Sequence, residues 1–241
     1  MTEIKAKSDI EKVVKSLKGN HFKVEYVERA ADAVPIILNA IPADASIEMA
    51  GSVSVSQLGL LDLLRERGNK GLEPPKPEQF SFEEMRKNRR DVLLVSSNAV
   101  TLDGKLVNLD GMGNRVASMF FGVKQVVLLI GANKIVRDLD EALERVQKTI
   151  APYHAKNLGV NTPCAATGEC TDCNSPQRIC NITTILSKKP PTVDFLIVLV
   201  GEDLGLGWDP EWPEERIEKI TSAYQIEIEK FRAKMGPPPR R

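Results

Sequence analysis

Four cysteines, the full complement of the chain, fall between Cys164 and Cys180 in the order C-x5-C-x2-C-x6-C. Structural cysteines that merely pack a core scatter among many elements, so a cluster this tight points to other chemistry. The surrounding stretch, Pro163 to Pro176, is turn-rich and short of large apolar side chains, and burial contributes little to its order. Cys170 and Cys173 have the bite that two thiolates need on one centre. Cys164 and Cys180 complete a four-thiolate set that suits tetrahedral zinc or an iron–sulfur cluster. The spacing is not one of the common ferredoxin runs and does not choose between them. Two disulfides, a reversible Cys170–Cys173 pair and inert thiols are the competing readings. His154, ten residues before Cys164, is a further ligand candidate, although a lone histidine is more often structural. His21, in an expected strand, carries no such signal.

A second constellation is polar. Gly51-Ser52-Val53-Ser54 stands between an expected strand and an expected helix, where N–H groups and hydroxyls suit a phosphate or carboxylate. A helix entry with a plain serine cap uses the same residues. Farther on, Ser96, Asn98, Asp103 and Gly104 follow another expected strand, at the end where open α/β sheets place their ligand crevice. The run continues through Asn108, Asp110, Gly111, Gly113, Asn114 and Arg115, a density of Asn, Asp and Gly beyond what a hairpin needs. Gly111 and Gly113 let backbone approach a ligand closely, and Arg115 is the residue type that clamps a carboxylate or phosphate. An Asp-Gly hairpin with a solvated arginine is the plainer alternative. If the chain moves a proton itself, Asp103 or Glu48 is the candidate acid/base.

These residues need elements to hold them. Apolar positions at Ile4, Ile10, Val13, Val14 and Leu17 predict an amphipathic first helix. Residues 21–27 alternate as a strand, 30–38 read as a helix, 46–50 as a short strand and 55–67 as one helix. Gly71 to Pro77 is a Pro-rich linker, and Ser81-x-x-Glu84 is a capping box. Within residues 91–97 the apolar residues run together rather than alternate, as they do over 126–130, the pattern of buried parallel strands. Between Asp-Gly turns lies the short stretch 105–109, followed by an expected helix over 115–121. Asp138-x-x-Glu141 caps a helix reaching about Ile150. After the cysteines, 177–186 is expected as helix and 193–200 as a buried strand. Pro213-Glu214-Glu215 starts a C-terminal helix at about 213–234. Trp208 and Trp212 are expected to pack it back on the domain. The 241 residues thus read as a single α/β domain, an open, mainly parallel sheet flanked by helices, with a four-cysteine insertion at about 152–181.

Bulk properties narrow the partners. The 33 basic and 33 acidic residues balance, so no basic face recommends nucleic acid. The first residues lack the apolar region of a signal peptide, and the run from Phe195 to Val200 is six residues, far short of a bilayer span. The expected compartment is the cytoplasm, where clustered thiols more often bind metal or do redox work.

Three stretches together resemble the LUD-domain family, named for lactate utilisation: Ser97 to Val116, Cys164 to Asn181, and Val200 to Trp208. The chain looks like its single-domain, cysteine-containing branch. The resemblance implies a fold similar to ribose-5-phosphate isomerase and the coenzyme A transferases. It matches the anion loop to Gly51–Ser54 and a second polar loop to Asn98–Gly104. It also implies a part in oxidising L-lactate to pyruvate, as an accessory subunit beside iron–sulfur oxidoreductase partners. The sequence has neither ferredoxin-type modules nor a G-x-G-x-x-G dinucleotide fingerprint. A self-contained enzyme on a phosphorylated sugar or acyl–coenzyme A, and a thiol redox sensor, are the alternatives.

Overall fold

The continuous apolar runs pair with one another. The computed structural model describes residues 7–49, 51–72, 90–207 and 211–235. The chain begins α1 (Lys7–Gly19), β1 (Lys23–Val27), α2 (Ala30–Ala40), β2 (Ile47–Met49), α3 (Val53–Gln57) and α4 (Leu60–Glu66). It continues β3 (Val92–Val95), β4 (Ala99–Thr101), β5 (Leu106–Asp110), α5 (Asn114–Ser118), β6 (Gln125–Gly131) and β7 (Ile135–Val136). Then come α6 (Leu139–Glu144), α7 (Ala151–Leu158), α8 (Pro163–Thr167), β8 (Ile182–Leu186), β9 (Asp194–Val200) and α9 (Glu214–Met235).

The main sheet has the order β1-β9-β6-β3-β2, and all of its pairings are parallel. In β6 and β9 every residue after the first is buried, as a strand covered on both faces requires. Alternate side chains feed two cores. Leu93, Val95, Val126, Leu128, Ile130, Ile197 and Leu199 meet Ile10, Val13 and Leu17 of α1. Leu94, Val127, Leu129, Leu196 and Val198 meet Ala33 and Ile37 of α2 and Val55, Leu60 and Leu64 of α3 and α4. This is the mainly parallel α/β architecture expected from the sequence.

A second, mixed sheet, β7-β4-β5-β8, leans on the α1 side through Val100, Leu106 and Ile135. Its other face is covered by Ala142 and Val146. The expected helix over 177–186 is instead partly strand: residues 182–186 form β8, antiparallel to β5, with Asp110 opposite Ile182. Ile182, Thr183, Thr184 and Ile185 are all β-branched, which favours a pleated edge over a helix. The single helix expected over 55–67 is two, because Gly59 takes a left-handed φ of 62° between them. The helix capped by Asp138, whose Oδ1 accepts from the Glu141 N–H at 2.9 Å, does not stop near Ile150. It passes through a π-helical segment, Arg145–Ile150, into α7, so the irregular cysteine segment starts only after Leu158. The Pro-rich linker beyond Leu72, the Ser81–Glu84 capping box and Trp208 lie outside the described residues.

Candidate functional site

In a parallel sheet the C-terminal strand ends line up along one edge, and the loops leaving them meet there. The loops after β2, β3, β6 and β9 converge in this way on Lys134. The turn Ala132–Lys134 follows β6 directly, and Asn133 in it is fully buried. The Asn133 amide donates to the Gly207 carbonyl at 3.1 Å and accepts from the Leu204 N–H at 3.0 Å, fastening the loop after β9. Lys134 is 5% exposed, and its Nζ donates to Ser54 Oγ at 2.9 Å and Ser96 Oγ at 2.8 Å. Among the described residues no carboxylate pairs with this ammonium. Burial first, and the Arg115 charge second, lower its pKa to about 7.

Arg115 organises the neighbouring hairpin. Asp110 Oδ1 accepts from the N–H groups of Met112 and Gly113, shaping the turn that delivers Arg115 at the start of α5. The Arg115 guanidinium pairs with Asp110 Oδ2 at 3.3 Å. It also donates to Asn108 Oδ1 at 2.9 Å, Asn98 Oδ1 at 3.0 Å and the Leu109 carbonyl at 2.7 Å. A planar fork committed in these directions is an internal brace, so the clamp expected of Arg115 is spent on its own hairpin. Its effect on Asn108 matters most. A cation and the Asn98 N–H (3.3 Å) both face Asn108 Oδ1, which fixes the amide and leaves Nδ2 buried with no partner among the described residues. The Ser52 hydroxyl is a second buried group without a partner.

A third wall comes from the far end of the chain. His154 of α7 is hydrogen-bonded through Nδ1 to the Tyr224 hydroxyl of α9. Burial first, then the Arg115 charge, drop its pKa to about 4, so the imidazole is neutral at ordinary pH. It therefore faces Tyr224 rather than serving as a fifth ligand beside the cysteines. Arg216 ties α9 to the loop after β9 through a bidentate pair with Asp203, 2.9 and 2.7 Å, and lies 3.5 Å above the Trp212 ring.

The sequence-predicted residues divide into those gathered here and those elsewhere. Ser54 bonds Lys134, and Arg115 lies near enough for its charge to act on it and holds Asn98. Ser52 stands two residues before Ser54, with Gly51 supplying the left-handed turn (φ 64°) before Ser52 and Asn114 opening α5. Ser52 precedes α3 but makes no capping bond, so the plain-cap alternative is not what occupies its hydroxyl. Asp103 and Gly104 stand at the other end of the hairpin. There Asn20 donates to both of their carbonyls at 3.0 Å, and Asp103 is bonded to Thr101 and Lys105. Burial raises the Asp103 pKa, but those hydrogen bonds outweigh it and the net direction is down, away from a general base near neutrality. Glu48 accepts from Ser118 Oγ at 3.0 Å, and burial pushes its pKa up. In the sequence Lys134 is marked by nothing more than a polar Asn-Lys pair shortly after a continuous apolar strand.

All four thiols are free. Arg178 holds the loop, pairing with Asp172 at 2.7 Å and donating to the Cys173 carbonyl at 2.7 Å. The Cys180 thiol is pushed up, chiefly by burial, with Cys170 and Cys164 near enough for their charge to add. Even so, among the described residues no three His, Cys, Asp or Glu side chains form a group that could hold a metal ion. The four cysteines as placed thus form no assembled metal centre among the described residues, and no chemistry is routed through one. The loop does adjoin the polar cluster. Asn181 donates to the Gly111 carbonyl at 2.9 Å, and a Cβ on Gly111 would stand 3.2 Å from Ile179 Cα.

Among the described residues no helix is long and apolar enough to cross a membrane. No curated protein matches the chain. Among solved structures, the chain is similar to a DUF162 family protein from Deinococcus radiodurans, with 12% identity, a TM-score of 0.46, and coverage of 80% of this chain and 96% of that one. The family model of the LUD domain matches residues 10–200, the span from α1 through β9 that carries the Lys134 cluster, the hairpin and the cysteine loop. This chain belongs to the LUD domain family.

Proposed function

We propose that this protein binds a small monocarboxylate at the Lys134 cluster. In this reading it serves as the substrate-binding component of a lactate-utilisation system whose iron–sulfur oxidoreductase partners carry the electrons. The observation that carries the reading is a surplus of buried donors. Among the described residues Lys134 Nζ meets only neutral hydroxyls, while Asn108 Nδ2 and Ser52 Oγ have no hydrogen-bond partner. Buried donors left unpaired are costly, and an acceptor-rich ligand removes that cost. Charge favours a carboxylate over a phosphate. Arg115 is balanced by Asp110 and His154 is neutral, so Lys134 leaves one net positive charge to match one negative charge. A self-contained isomerase or transferase working through Asp103 is not favoured, since that side chain sits in the turn against α1. The metal centre expected of the cysteines is left out of the reading because among the described residues the thiols form no group that could hold a metal ion. Anaerobic purification with iron and zinc analysis tests that omission, and a stoichiometric metal would restore the centre.

Titration calorimetry with L-lactate, pyruvate and phosphate tests the binding. Because Lys134 titrates at about 7 when the site is free, a bound anion draws a proton onto it. Monocarboxylate affinity is expected to fall by up to about tenfold per pH unit above neutrality, with proton uptake visible in buffers of different ionisation heat. Ser52→Ala and Asn108→Leu should each weaken binding about tenfold. Unchanged affinity in both variants, or affinity that ignores pH between 6 and 9, would remove the reading.

A further inference from the structure

We propose that Lys134 forms a covalent imine with the carbonyl of a small 2-oxo acid. This rests on the carboxylate-binding reading above and adds the bond that is made. Buried lysines are ordinarily held by a carboxylate, because an isolated ammonium is expensive to take out of water. Lys134 has no such partner among the described residues. It ends instead on two serine hydroxyls, in a turn locked by Asn133, with the braced Arg115 near enough for its charge to act on the amine. Desolvation together with a neighbouring cation lowers a lysine pKa enough that a neutral, nucleophilic fraction is present at ordinary pH. This fraction adds to a carbonyl, while the protonated fraction pairs with a simple carboxylate. Gly205 brings loop backbone against the same amine, since a Cβ there would lie 3.1 Å from Lys134 Nζ and 2.4 Å from Ser54 Oγ. The amine is thereby shielded from bulk water, and the two hydroxyls stand where protons must move.

The step balances without an oxidant or reductant. The lone pair of Nζ adds to the carbonyl carbon, forming the C–N bond, and the carbonyl π pair moves to oxygen. That oxygen takes a proton while the nitrogen gives one up, with Ser54 and Ser96 as the hydroxyls in hydrogen-bond contact with the nitrogen. The carbinolamine then loses its oxygen as water with the remaining amine proton, leaving the imine. Protonation of the imine yields an iminium that draws electrons from the adjacent carbon. A 2-oxo acid supplies both requirements, a carboxylate for the donor surplus and a carbonyl one bond away. A 2-hydroxy acid supplies only the first.

Sodium borohydride trapping of the intact wild-type protein tests this, with pyruvate and glyoxylate as probes, L-lactate as control, and peptide mass spectrometry to locate the adduct. The expected result is a reduced adduct on the Lys134 peptide with both oxo acids and none with L-lactate, its occupancy following calorimetric saturation. If pyruvate binds but Lys134 carries no adduct, or another lysine carries it, the imine is overturned and the carboxylate site stands. If neither pyruvate nor L-lactate binds, both fall. The Lys134→Arg variant, which keeps a cation but cannot form an imine near neutrality, is expected to give no adduct.

Discussion

Lys134 sets the residue-scale behaviour of this protein. Its pKa is lowered from the ordinary lysine value to about 7, so the unfolded chain binds more protons than the folded one from about pH 7 to about 10. Its share of stability therefore rises with pH across that window, by up to about 1.4 kcal/mol per pH unit, and is least below pH 7. Lys134→Met should abolish this rise, seen as a wild-type-minus-variant difference in Tm at pH 7, 8, 9 and 10 that changes steadily with pH. His154 has the same sign in another range. Its folded pKa of about 4 lies below the ordinary histidine value, so stability from keeping the ring neutral is present above about pH 6.5 and lost as pH falls toward 4. His154→Gln should flatten acid unfolding in that interval. A wild-type curve already flat between pH 4 and 6.5 would contradict the buried, neutral ring bonded to Tyr224.

At the scale of elements, β8 decides how the cysteine loop meets the site. It is the edge of the mixed sheet, its register puts Ile182 beside Asp110, and the loop is thereby delivered to the Gly111 turn. Thr184 in this strand has a buried hydroxyl without a partner among the described residues. Replacing it with the near-isosteric valine removes an unsatisfied group and keeps the β-branched fit, so Thr184→Val should be neutral or stabilise by about 1 kcal/mol in urea unfolding. A loss of more than about 1 kcal/mol would mean the hydroxyl is satisfied after all. The strand also shows why local pattern misled. Residues 177–186 mix polar and apolar positions without a clear period, and β5 across the ladder, about seventy residues earlier in the chain, chose strand over helix.

For the molecule as a whole, α9 closes the edge at which the strand-end loops meet. Tyr224 and Ile228 pack with Ile150 and Leu206, and the Arg216–Asp203 pair anchors the helix to the loop after β9. Both partners are largely buried, so Asp203→Asn takes the negative charge out of the bidentate pair that holds the helix on this loop. It should cost about 2 kcal/mol and weaken carboxylate binding through the displaced loop. Calorimetry and thermal unfolding of one sample read both effects, and a change in stability with binding intact would detach the loop from the site.

The sequence by itself determined the parallel sheet, because continuous apolar runs such as 126–130 and 195–200 are stable only when covered on both faces. It also marked the serine loop and the Asn-, Asp- and Gly-rich hairpin, since those residue types carry local turn and hydrogen-bond chemistry. What it left open was which polar groups end without a partner. Arg115 reads in sequence as a ligand clamp and serves as a brace, while Lys134 reads as one lysine among many and sits at the centre. Only the tertiary structure decides this, because a hydrogen bond is spent or spare according to neighbours as distant in sequence as Ser54 and Lys134. The same holds for the cysteines. Their spacing in the chain permits a four-thiolate centre, whereas their coordination depends on where Arg178 and β8 hold the loop.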